Sequence, residues 1–178
     1  MENELETHFE KISTKIISMI PEPWSLVKLF AYVQDESLTS FFYYKSKNGN
    51  QVVYSYDIPS LFPLNKEKFE EDDQELIFMI DDLTDAFLET NQELWKSFTL
   101  TIIDDGKLKI EYNYDEEFEN SLIAQIVWTY HHFGLKPNSK YELELLINYL
   151  EKHTQTNYSI GIVEGCETIR GNKKWKKS

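Results

Sequence analysis

Phe98-Thr99-Leu100-Thr101-Ile102-Ile103-Asp104-Asp105-Gly106-Lys107-Leu108-Lys109-Ile110-Glu111-Tyr112-Asn113-Tyr114 is the stretch that decides how this chain folds. Phe98, Leu100 and Ile102 alternate with threonines, while Leu108, Ile110, Tyr112 and Tyr114 alternate with Lys107, Lys109, Glu111 and Asn113. Successive side chains of a strand point to opposite faces, so each run presents one apolar and one polar side. Asp105-Gly106 supplies the residue types that tolerate the positive φ of a tight turn. The stretch predicts a hairpin with one face on a core and the other in water.

Upstream, Asn65 can cap a long helix running to about Thr90, with Phe69, Leu76, Ile80, Leu83 and Phe87 as its buried stripe. In residues 26–34, Val27, Leu29, Ala31 and Val33 alternate with Phe30 and Tyr32, which predicts a strand covered on both sides. Residues 41–45 and 51–56 read as two more strands, with Asn48-Gly49 as the positive-φ turn between them. Leu5, Phe9, Ile12, Ile16 and Met19 recur every three or four residues, so a first helix precedes these strands and ends at Pro21 and Pro23.

Downstream of the hairpin a helix over residues 117–133 should stop at Gly134, with Pro137 behind it. Phe118, Leu122, Ile126, Tyr130 and Phe133 would form its stripe, with Trp128 projecting off it. Ser139 and Glu142 make a capping box for a last helix carrying Leu143, Leu146, Ile147 and Leu150. The order is α-βββ-α-ββ-α-α. It describes an α+β domain in which four helices pack on an antiparallel sheet of about five strands. Residues 1–153 are expected to form a single domain, and residues 154–178, which lack any core period, a loosely held tail with a basic end.

The charge balance narrows the function. Lys and Arg number 18 against 31 Asp and Glu, a net charge of −13. Residues 168–178 hold five cations and no acid, so the first 167 residues are five charges more negative than the whole, at −18. Such a body repels phosphate backbones, which argues against direct nucleic-acid binding and for a cationic partner or for solubility alone. No apolar run approaches membrane-spanning length. Residues 1–10 carry four glutamates and no Lys or Arg, unlike a signal peptide, and Cys166 is the only cysteine. A cytoplasmic location is the expectation.

Catalytic signatures are missing. His131 and His132 are adjacent, about 100° apart on a helix, whereas ligands on one helix face sit three or four residues apart. Cys166 has no histidine pattern near it, and the chain has no Gly-rich phosphate loop and no Ser nucleophile elbow. No catalytic residue, metal ligand or cofactor is expected.

Three other segments carry a family resemblance: Met19-Ile20-Pro21-Glu22-Pro23-Trp24, Tyr54-Ser55-Tyr56-Asp57-Ile58-Pro59, and Gln125-Ile126-Val127-Trp128-Thr129-Tyr130-His131-His132-Phe133-Gly134-Leu135-Lys136-Pro137. In this order, with these element types between them, they resemble the YezG-like family of bacterial immunity proteins. The resemblance covers roughly residues 5–152 and implies an antitoxin that binds the toxic domain of a secreted LXG-type nuclease in the cytoplasm of its producer. An acidic adaptor or chaperone for a basic partner that is not a nuclease is the alternative.

Partner-binding candidates follow. Residues 67–93 contain eleven acids, of which Glu71, Glu75, Asp82, Asp85 and Glu89 line one side of the second helix. They are either a solvated face or a surface that pairs with the cations of a toxin's substrate cleft. Trp128 is either packed on the last helix or an aromatic anchor for a partner. The same two readings apply to Tyr54 and Tyr56, which alternation would place on one face of the third strand, whereas Trp24 reads as a core plug.

Overall fold

In a computed structural model that describes residues 2–115 and 118–153, the expected hairpin is present as β4 (Ser97–Ile103) and β5 (Leu108–Asn113). Gly106 turns it at φ 89°. These strands extend an antiparallel sheet with β1 (Trp24–Gln34), β2 (Ser37–Ser46) and β3 (Val52–Tyr54), in the order β3-β2-β1-β4-β5. The described residues fall into two compact units, divided after residue 116.

The first unit has its core on one sheet face. α1 (Glu2–Met19) buries Phe9, Ile12, Ile16 and Met19, and α3 (Lys66–Glu89) buries Phe69, Leu76, Ile80, Leu83 and Phe87. These stripes join Val27, Leu29 and Ala31 of β1, Phe42 and Tyr44 of β2, and Phe98, Leu100 and Ile102 of β4. Each such aliphatic or aromatic side chain contributes about 1.5–3 kcal/mol by leaving water, which is why periodicity alone locates both helices.

Three local expectations change in this unit, and one turn is added to them. β4 lies between β1 and β5, and Ser97, Thr99 and Thr101 are buried as well as Phe98, Leu100 and Ile102, so only the edge strand β5 keeps Lys109 and Glu111 in water. The turn after β2 takes positive φ at Gly49 and Asn50, one residue later than expected. A second tight turn joins β1 to β2 through Asp35 and Glu36, at φ 50° and 63°. β3 ends at Tyr54 and gives way to a 3-10 turn, Ser55–Asp57, and a short α2 (Ile58–Leu61), making five α-helices among the described residues rather than four. Pro59 in the first turn of α2 is pre-set for helical φ and has no N–H to leave unpaired.

The second unit holds α4 (Ser121–Phe133) and α5 (Lys140–Lys152). α4 starts later than residue 117 because Asn120 caps it, accepting from the Ile123 N–H at 3.0 Å. Phe118 therefore stands outside the helix and stacks on Tyr149 of α5, with ring centroids 5.5 Å apart. Gly134 ends α4 in the left-handed region at φ 66°, its N–H donating to Tyr130 O, as its sequence position requires. Ser139 caps α5, its Oγ accepting from the Glu142 N–H at 3.2 Å and donating to the Glu142 carboxylate at 3.0 Å. Among the described residues no helix is long and apolar enough to cross a membrane. The expectation for residues 154–178, Cys166 included, lies outside the described residues.

Candidate partner-binding face

α3 begins at Asn65, whose side chain accepts from the Lys68 N–H at 3.1 Å. At 100° per residue, its buried stripe leaves Glu71, Glu75, Phe78, Asp82, Asp85 and Glu89 together on the opposite side, and all six are exposed. Among the described residues Glu71, Asp82, Asp85 and Glu89 have no ion-pair partner. Glu75 differs, because it and Asp72 both bind Lys15 of α1. Asp72 also accepts from Lys68 at 2.9 Å. Desolvation opposes ionisation of Asp72, but hydrogen bonds from Lys15 and Lys68 outweigh it and hold the carboxyl below its ordinary range. Glu75 thus anchors α3 to α1.

Phe78 was not singled out by the sequence reading. It is 60% exposed and stands three, four and seven residues from Glu75, Asp82, Asp85 and Glu71. The signal was present in the sequence, since Phe78 lies about 160° around the helix from Ile80 and so cannot share its stripe. Leu88, also on α3, is 51% exposed.

Tyr54 and Tyr56 do meet, with ring centroids 5.4 Å apart, but not through strand alternation. Tyr54 ends β3 and lies over its register partner Tyr43 at 4.9 Å, next to Phe41 at 6.0 Å. Tyr56 belongs to the 3-10 turn, and its hydroxyl donates to Asp73 Oδ2 of α3 at 3.0 Å. Burial, with the Asp73 charge beside it, pushes the Tyr56 phenol above its ordinary range. Burial likewise raises Asp73, against the hydrogen bond from Tyr56. Trp24 packs against the core, as expected.

Trp128 is 4% exposed, and its ring lies 4.6 Å from that of His132 and 5.9 Å from that of Phe133. The stripe expected for α4 holds at Ile126 and Tyr130 but not at Leu122, which is 39% exposed, and burial extends beyond it to Ile123, Ala124, Val127, Trp128 and Thr129, around the whole helix. His132 leans on Trp128, whereas burial of His131 pushes its imidazole down to about 3, so that it is neutral near pH 7. Among the described residues no group of three or more His, Cys, Asp and Glu could hold a metal ion.

Residues 5–148 match the model of a family described as immunity protein YezG-like. Immunity protein YezG of Bacillus subtilis (strain 168) is 30% identical over 145 residues, covering 80% of this chain and 96% of that protein. Type VII secretion system protein EsaG of Staphylococcus aureus (strain NCTC 8325 / PS 47) is 29% identical over 146 residues, covering 80% of this chain and 89% of that protein.

Proposed function

Because the chain belongs to the YezG-like immunity protein family, we propose that it binds the toxic domain of a cognate secreted nuclease in the cytoplasm of the producing cell and blocks it by occlusion or deformation. It catalyses nothing and needs no cofactor. The toxin is of the LXG type and leaves by type VII secretion, a reading supported by a relative named for that system.

The outer side of α3 is the observation that carries this reading. A nuclease gathers cations where it holds phosphates, and the carboxylates of Glu71, Asp82, Asp85 and Glu89, without ion-pair partners among the described residues, complement that surface. They steer the encounter. Phe78 among them supplies what charge does not, an apolar ring to desolvate, of the aromatic class enriched at interfaces.

Converting Asp82, Asp85 and Glu89 together to lysine reverses the local field without touching the core stripe. Association with the toxin should slow most at low salt, because exposed charges are screened beyond about 10 Å at 0.1 M ionic strength. Circular dichroism should be unchanged, and cells expressing the toxin should lose protection. Unaltered association rates with intact protection would reduce this side of α3 to a solubility device, and a basic partner without nuclease activity would favour the adaptor reading.

A further inference from the structure

A cleft of about 460 Å³ opens between the 3-10 turn, α2 and the first turns of α3. Its lining is of two kinds: the ring of Tyr56 with Pro59 and Phe69, and the carboxylates Glu70 and Asp73, with the exposed Lys66 beside them. It is separate from the outer side of α3, since Asp73 lies about 140° around the helix from Phe78.

Asp73 is half satisfied. Its Oδ2 accepts from Tyr56, and among the described residues no hydrogen bond reaches its Oδ1. Glu70 has no ion-pair partner among the described residues. A half-buried carboxylate beside an aromatic face and a second carboxylate suits a flat, weakly hydrated cation. The guanidinium of arginine meets that description: it stacks on aromatic rings and offers paired donors to carboxylates, whereas a lysine ammonium is a strongly hydrated point charge.

We propose that this cleft receives an arginine side chain of the toxin, stacked on Tyr56 and donating to Asp73 Oδ1 and Glu70. The proposal rests on the toxin-binding reading and adds a second contact to the outer side of α3. The volume exceeds one guanidinium and lies within the range of small-ligand sites, so residues flanking the arginine enter with it. The net charge of −18 over the first 167 residues favours a cationic visitor over an anionic one that Lys66 alone would hold.

Asp73→Asn keeps an acceptor for the Tyr56 hydroxyl and removes the charge. In the full chain it should melt like the wild type yet release the toxin domain at least tenfold faster. Amide resonances of Tyr56 and Asp73 in the isolated protein should shift with arginine methyl ester, less with lysine methyl ester, and with neither in the variant. Should Asp73→Asn melt early, Glu70→Gln, at an exposed position, gives the same readout. Wild-type dissociation rates in these variants, or cleft amides that ignore arginine, would overturn the proposal. If the wild-type chain itself fails to hold the toxin, the immunity reading falls and this one with it, a result distinct from failure of the variants alone.

Discussion

α3 buries its apolar residues along one stripe and leaves Glu71, Phe78, Asp82, Asp85 and Glu89 in water; α4 buries residues on every side from Ile123 to Tyr130. The difference lies in what each helix needs from solvent. α3 carries many carboxylates, whose solvation fixes which side faces out. Between Ser121 and Phe133 there is no Asp, Glu, Lys or Arg, so no permanently charged side chain holds one side of α4 in water. An exposed aromatic on the first helix is therefore available to a partner, and a buried one on the second belongs to the fold.

Exchanging the roles of these aromatics is the sharpest way to break that contrast. Trp128→Ala should lower unfolding free energy in urea by about 3–5 kcal/mol, the usual cost of emptying a large aromatic site. Phe78→Ala should leave stability within about 0.5 kcal/mol and weaken toxin binding by about 2 kcal/mol, roughly thirtyfold. Equal stability losses at the two positions would erase the distinction.

His131 carries the contrast into pH. Its folded pKa of about 3 lies below the ordinary 6.5, so between these values the unfolded chain holds a proton that the folded one does not. The contribution of His131 to stability should then fall as pH drops through 6.5, by up to about 1.4 kcal/mol per pH unit, and be fully lost below about 3. His131→Gln should flatten the loss between pH 6.5 and 5, by roughly 2 kcal/mol at most, in melts followed by circular dichroism. The smallest effect concerns the caps. Asn65→Ala and Asn120→Ala should each cost about 1 kcal/mol, since capping is local and indifferent to how the rest of the helix is buried.

The sequence discloses α1, β1 to β3, α3, the β4–β5 hairpin, α4 and α5, and it places most sharply the helices with both a period and a polar contrast, α1, α3 and α5. α2, four residues long, is too short for any period, and Asp35 and Glu36 take a left-handed conformation uncommon outside glycine, more so for Glu than for Asp. The buried threonines of β4 depend on sheet order, which alternation does not encode. For the candidate site, exposure of the acidic residues was legible on the helical wheel, but the diversion of Glu75 to Lys15 joins residues 60 apart. The Tyr56–Asp73 bond likewise crosses elements, so no local pattern announces it.

The sheet order also bears on how the chain is made. β1 pairs with β2 across two turn residues, but its other neighbour is β4, complete only at Ile103, about 70 residues after β1 ends at Gln34. At a ribosomal pace of roughly 5–20 residues per second, that edge of the central strand waits about 4–14 s for its partner. Until β4 arrives, β1 offers an unpaired, aromatic-rich margin to any other growing chain nearby. Aggregation is therefore a hazard of synthesis more than of the finished protein, and slowing translation between α3 and β4 should raise it.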